Sequence, residues 1–310
     1  MSTSKYKELL FIKELNGVGP VRINTFYLPL LQQGADIEQL KQIALENEKK
    51  VDAENIAAAS KKAEEIYSQV INREDMRVCT ILDEDYPSKL KALKNKAPVI
   101  LYVKGDISLS EKDSIAVIGT REPGSWSEKV EEQLVGKILE LTDRVIVSGL
   151  AVGCDTIAHR ACVEKKGKTI AMLPCGFDHI SPEENIGLSK EILESGGVLI
   201  SEYLPYEEAT TYTFVERDTL IAAISDAVMV IECGKKSGTM HAVNAAIDLN
   251  RKVGAFSTDN KEQGNYEGNE YIITEKGGFP ISDSKTLKDF LDMAAITDTE
   301  EPVQMSLFDL

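Results

Sequence analysis

Apolar residues fall on helical spacing through roughly the first 75 residues and then switch to short continuous runs. Leu9, Leu10, Ile12 and Leu15 share one helical face, and Asn16-Gly17-Val18-Gly19-Pro20 breaks the pattern. A second periodic stretch runs from Val21 to Leu31, and the Ala-rich segment from Asp52 to Val70 favours another helix. From Val78 the texture changes. Val99–Val103, Ile115–Ile118, Val145–Val147, Thr169–Leu173, Val198–Ile200, Val228–Ile231 and Val253–Phe256 are short apolar runs, most of them separated by helical patterns. Unbroken apolar runs suit strands covered on both faces, so the pattern predicts an α/β fold with a doubly wound, mostly parallel, Rossmann-like sheet preceded by a small all-α domain. Ser125-Trp126-Ser127-Glu128 and Ser181-Pro182-Glu183-Glu184 read as capping boxes at two helix starts. The expected domains are 1–77 (helical), 78–282 (Rossmann-like) and an acidic tail, 283–310, with its last dozen residues flexible.

Composition narrows the function. The chain has 310 residues, 43% hydrophobic and 28% charged, with a formal net charge of −16. No apolar run reaches the roughly 18 residues of a membrane span, and the polar segment Met1 to Lys7 does not read as a signal peptide. Five scattered cysteines without a CxxC pair, and three histidines without ligand spacing, argue for reduced thiols in a cytoplasmic protein with no metal site. Binding nucleic acid on so acidic a body requires a local positive site, whereas a small anionic ligand requires only a few N–H groups and one or two cations.

Three strand-to-helix turns carry that chemistry. Strand Ile115–Ile118 runs into Gly119-Thr120-Arg121, where a glycine allows close approach, Thr120 offers a hydroxyl and Arg121 a guanidinium fork. The turn is not GxGxxG, so the dinucleotide fingerprint is absent. The next strand leads into Ser148-Gly149-Leu150-Ala151-Val152-Gly153-Cys154-Asp155, with Asp155 placed to cap a helix carrying Ala158 and the packing residue His159. A third turn, Glu232 to Thr239, places Lys235, Lys236, Ser237, Gly238 and Thr239 before a helix whose N-terminus favours an anion. Each turn alone reads equally as ordinary surface structure; at neighbouring strand ends together, they predict one anion site. No nucleophile–base pair stands out, and structural roles account for Glu232 and Asp155, so neither catalysis nor a cofactor is expected.

These segments together resemble the bacterial DNA-processing family DprA/Smf. Tyr86-Pro87-Ser88-Lys89-Leu90 and Pro98 to Gly105 resemble its entry into the Rossmann-like domain, and Ile118-Gly119-Thr120-Arg121 its Gly-Ser/Thr-Arg turn. Ser148-Gly149-Leu150-Ala151 with Gly153, Asp155, Ala158 and His159 resembles its most specific signature. Leu199-Ile200-Ser201-Glu202-Tyr203 and Ser237-Gly238-Thr239 resemble two further stretches, and the likeness spans roughly residues 80 to 256. The resemblance implies a non-catalytic, dimeric protein that binds single-stranded DNA through a phosphate pocket and assists loading of a RecA-type recombinase in natural transformation. It makes Arg121 the phosphate-gripping cation, with Gly119, Ser148, Gly149, Gly153, Ser237 and Gly238 lining the pocket; the reading of the turns adds Thr120, Lys235, Lys236 and Thr239, and Arg217 completes the candidate set. The chain departs from the pattern at Val152, where the family has arginine. It departs again at Phe214-Val215-Glu216-Arg217-Asp218-Thr219, which keeps only the Phe and the first Arg of F-P-x-R-N-R. The alternative is a nucleotide-sensing Rossmann-like module.

The two ends carry separate signals. Leu15 to Pro20 resembles a helix-hairpin-helix turn, in which Gly17 and Gly19 would offer N–H groups to a phosphate and Arg22 a charge; a plain packing turn fits equally. Gln304-Met305-Ser306-Leu307-Phe308 resembles the peptide by which bacterial proteins bind the DNA sliding clamp, with Leu307 and Phe308 filling an apolar cleft and Gln304 hydrogen-bonding at its edge.

Overall fold

The computed structural model describes residues 5–259 and 264–295. Helices α1 (Tyr6–Lys13), α2 (Ile37–Asn47) and α3 (Ala53–Val70) open the chain, with an irregular helical run, Pro20–Arg22, Ile23–Tyr27 and Leu28–Gln32, between the first two. Asp36 and Asp52 cap α2 and α3 by accepting the N–H of Gln39 and Asn55.

Nine strands follow: β1 (Arg77–Thr80), β2 (Ile100–Lys104), β3 (Ser114–Ile118), β4 (Val145–Ser148), β5 (Thr169–Leu173), β6 (Val198–Ser201), β7 (Ala227–Val230), β8 (Lys252–Phe256) and β9 (Phe279–Ile281). They form one sheet in the order β1-β2-β6-β5-β4-β3-β7-β8-β9. All pairs from β6 to β9 are parallel, whereas β2 runs antiparallel to both β1 and β6. The crossovers use α4 (Ser125–Leu141), α5 (Cys154–Glu164), α6 (Ile186–Glu194), α7 (Thr211–Ile224) and α8 (Thr239–Asp248). From β3 the chain steps outward through β4, β5 and β6, then returns by α7 to place β7 on the other side of β3. That reversal opens a crevice at the carboxyl ends of β3 and β7. The expected Rossmann-like α/β class is borne out. Every residue of β3, β4, β5, β6 and β7 is buried, which is why these strands read as unbroken apolar runs.

The N-terminal helices share a core with the sheet. Tyr6 and Tyr102 meet edge to face at 6.4 Å, with their hydroxyls 3.2 Å apart, and Leu9, Phe11 and Ile12 join a cluster that includes Leu173 and Leu199. The segment 283–310 departs from the expected tail. Its first part is helix α10 (Ser284–Ala295), preceded by α9 (Glu267–Glu275), with Leu287, Phe290 and Leu291 buried beneath the sheet and Phe290 stacked on Phe279 at 6.1 Å. Neither capping box forms as expected. Gly124 is the N-cap of α4, and Ser127 is buried and bonded to the Tyr266 hydroxyl at 2.5 Å. Pro182 precedes only a short 3-10 turn, and α6 begins at Ile186. No helix of the described residues is long and apolar enough to cross a membrane. Gln304, Leu307 and Phe308 lie outside the described residues.

Candidate nucleic-acid interface

The crevice is a cavity of about 690 Å³, walled by the turns after β3, β4 and β7 and by one face of α7. The structure brings Gly119, Thr120, Arg121, Arg217, Ser237, Gly238 and Thr239 to this wall. Arg121 is exposed there, its guanidinium 4.7 Å from the Phe214 ring centroid, and among the described residues it forms no ion pair. A cation held over an aromatic face keeps its charge and loses rotamer freedom before any ligand arrives.

The glycines act mainly by letting the turns approach one another. A Cβ on Gly119 would lie 2.4 Å from the Cys154 sulfur. Gly153, at φ +79°, leaves no room for a side chain against Thr120 O at 2.4 Å. Several N–H groups of these turns are already satisfied within the protein. Thr120 N donates to Glu232 O, Gly149 N and Ala151 N to Asp155, Cys154 N to Thr120 O, Ser237 N to Gly234 O, and Thr239 N to Ser237 Oγ. The Thr239 hydroxyl donates to Gly119 O at 2.9 Å, tying the β7 turn to the β3 turn. These N–H groups hold the turns together and are not open to a guest, which narrows the expected cradle of backbone N–H groups, and the Arg121 side chain lines the cavity.

Five other candidates are also reassigned by the geometry. Ser148 is fully buried and donates to Val117 O at 2.7 Å, so it braces β4 against β3. Arg217 is 3% exposed. Its guanidinium donates to the Gly149 and Met172 carbonyls and pairs with Asp155 at 3.7 Å and Asp218 at 3.1 Å, so it is an internal strut rather than an open cation. Gly149 is the seat of that strut, because any Cβ there would collide with the guanidinium. Lys235 and Lys236 are exposed outside the cavity wall, Lys235 lying over the Tyr271 ring at 4.4 Å.

Buried acids and bases next to the site serve the scaffold. His159 bonds Thr169 through Nδ1 at 2.7 Å, and burial lowers its pKa to about 3, so it stays neutral. Glu232 accepts N–H bonds from Gly124 and Asn265, strapping two loops together. Burial pushes Asp155 upward, while Arg217 and the N–H groups of Gly149 and Ala151 pull the other way. At the hairpin, Gly17 takes φ +79° and Val18 is buried, but Arg22 donates to Glu48 at 2.8 Å and lies 3.6 Å above Phe26. Its charge is already answered, which removes it as a ready phosphate contact.

Sequence reasoning did not assign Phe214, Asp218 or His241 to the site, yet all three line the cavity. The signal was available: Phe214, Arg217, Asp218 and Ile221 follow i, i+3, i+4, i+7 spacing and share one face of α7. Thr210 opens that helix with a capping box closed by Thr213.

Residues 77–292, more than two thirds of the chain, match the family described as DNA recombination-mediator protein A. The chain belongs to this family. Family relatives include the DNA processing protein DprA of Streptococcus pneumoniae, 34% identical over 68% of this chain and 73% of its own length. That of Bacillus subtilis is 32% identical over 65% of this chain, and Protein Smf of Borreliella burgdorferi 30% identical over 64%. The matches span 66% and 62% of those last two relatives' own lengths. The X-ray structure of the S. pneumoniae protein superposes with a TM-score of 0.75 at 26% identity, covering 92% of this chain and 97% of its own. The Helicobacter pylori family member, from a structure described as giving insight into a single-stranded DNA binding mode, superposes with a TM-score of 0.61 at 26% identity over 70% of this chain and 97% of its own.

Proposed function

We propose that this protein binds single-stranded DNA at the cavity, with a backbone phosphate paired to Arg121 and a base or sugar against Phe214. It acts as a non-catalytic assistant of a RecA-type recombinase, as a homodimer in the cytoplasm, with its C-terminal peptide meeting the sliding clamp. The observation that carries the reading is the exposed Arg121 guanidinium held over Phe214 at the mouth of the switch-point crevice. Family membership and the single-stranded DNA described for the H. pylori relative support the class of ligand. Thr120 and the hydroxyls of Ser237 and Thr239 complete the wall, and the dipole of α8 favours negative charge there. The absence of catalysis is consistent with Asp155, His159 and Glu232 all being held in scaffold bonds.

The test is oligonucleotide binding across a salt series. Wild-type affinity should fall with rising salt, because phosphate neutralisation releases counterions. Arg121→Glu should abolish binding while leaving the thermal unfolding transition unchanged; unchanged affinity would remove the cavity from the account. A nucleotide ligand is the second reading, favoured by a volume typical of small-molecule sites. It predicts that a nucleoside phosphate raises Tm by mass action while an oligonucleotide does not.

A further inference from the structure

The described Lys, Arg, Asp and Glu side chains of the cavity wall are two arginines, Arg121 and Arg217, and two aspartates, Asp155 and Asp218, so their formal charges cancel. Asp155 is enclosed by the Gly149 and Ala151 N–H groups and by Arg217. Asp218 is different. Its side chain is 19% exposed, it lines the space a ligand would enter, and its partner Arg217 is shared with two carbonyls and Asp155. An anion paired with Arg121 would therefore meet one incompletely neutralised carboxylate across the cavity.

We propose that Asp218 is the residue that sets how strongly this cavity holds an anion: ionised, it opposes a phosphodiester beside Arg121, and neutral, it admits one. The proposal rests on the reading of the cavity as a DNA-backbone site. The groups facing Asp218 are Arg217 on its own helix, Asp155 from α5, His241 from α8 and Arg121 from the β3 turn. Burial raises its pKa to about 6; Arg217, His241 and Arg121 oppose that rise and Asp155 adds to it. A phosphate entering the cavity adds a further negative charge, which raises the value again. Binding then takes up a proton, and affinity must increase as pH falls. A single like charge, partly buried in the same cavity, changes affinity on the order of tenfold.

The probe is a thymidine oligonucleotide lacking terminal phosphates, because neither its bases nor its phosphodiesters titrate near neutrality. Binding by wild type, Asp218→Asn, His241→Gln and Arg121→Ala is followed between about pH 8 and about pH 5 at fixed salt. Acidification lowers the overall negative charge of all four alike, so the difference between curves isolates the substituted group. Asp218→Asn should bind about tenfold tighter than wild type near pH 8, and the two curves should converge near pH 5. Parallel curves of equal affinity would overturn the proposal while an intact Arg121 dependence preserved the DNA reading. A slope that survives Asp218→Asn and vanishes in His241→Gln would likewise overturn it. If no protein bound at any pH, the cavity reading would fail and carry this proposal with it. Should Asp218→Asn not fold, a wild-type affinity that is flat across the range is sufficient to reject the role.

Discussion

The cavity and the N-terminal hairpin begin from the same ingredients, a glycine-bearing turn with an arginine two residues beyond a glycine or three, and they end with opposite electrostatics. At the hairpin, Arg22 is bonded to Glu48 and laid on Phe26, so its donors are occupied. At the cavity, Arg121 lies over Phe214 and forms no ion pair among the described residues, so its neighbour holds it without neutralising it. An aromatic neighbour orients a cation; a carboxylate neighbour cancels it. Arg217 is the third case, a guanidinium drawn under the surface to stitch α7 to the turn after β4. Availability therefore follows from the tertiary partner and not from the residue type or its local turn.

The sharpest break in this comparison should come from removing the strut. Arg217→Ala leaves Asp155 and Asp218 without their shared cation inside the protein, which should cost on the order of 3–5 kcal/mol. Urea unfolding should show a large drop in midpoint, whereas Arg121→Ala should leave it unchanged; equal effects would erase the distinction between locked and open arginines. The glycines separate in the same way. Gly153→Ala forces a side chain at φ +79° against the Thr120 carbonyl and should cost about 2–3 kcal/mol. Gly19, at φ −102° with no atom within 4 Å of an added Cβ, should tolerate alanine within about 0.5 kcal/mol.

This contrast also explains which parts were legible. The seven central and inner strands are continuous apolar runs because both their faces are covered, and that signal is intrinsic to burial. The edge strands β1 and β9 were not legible, being four and three residues long, and β9 contains Pro280, which only an edge accommodates. The convergence of the Gly119, Gly153 and Ser237 turns could be read from their places at strand ends. The destination of their N–H groups could not, because Thr120 N meets Glu232 O across two distant segments. Nor could the inward seating of Arg217, which depends on the absent Cβ of Gly149, 68 residues away.

A smaller effect separates the two sites in solution. If oligonucleotide phosphate contacts Arg121, Arg121→Ala should lower the slope of log affinity against log salt by about 0.7 and weaken binding by about tenfold. Arg22→Ala should leave the slope as it was, since Glu48 already occupies that guanidinium. A matching loss in both variants would restore the hairpin as a second contact and show that the Glu48 pair opens on binding.

The smallest expected effect tests whether partly buried carboxylates away from the cavity behave as Asp218 does. Glu202, after β6, has its pKa raised to about 7 by burial, with Lys13 of α1 opposing and Glu216 adding to the rise. Its folded value lies above its unfolded one, so between them the folded chain holds the extra proton. Stability is then fullest below the unfolded value and declines as pH rises through about 7. Glu202→Gln removes the ionisation and should flatten that decline by on the order of 1 kcal/mol, read as urea midpoints at about pH 5 and about pH 8. Oligonucleotide affinity and its pH slope should not move, because Glu202 is not part of the cavity wall. If Glu202→Gln instead changed the binding slope, the proton linked to DNA would belong to the junction with the N-terminal helices, and the cavity and its neighbour would have to be treated as one titrating unit.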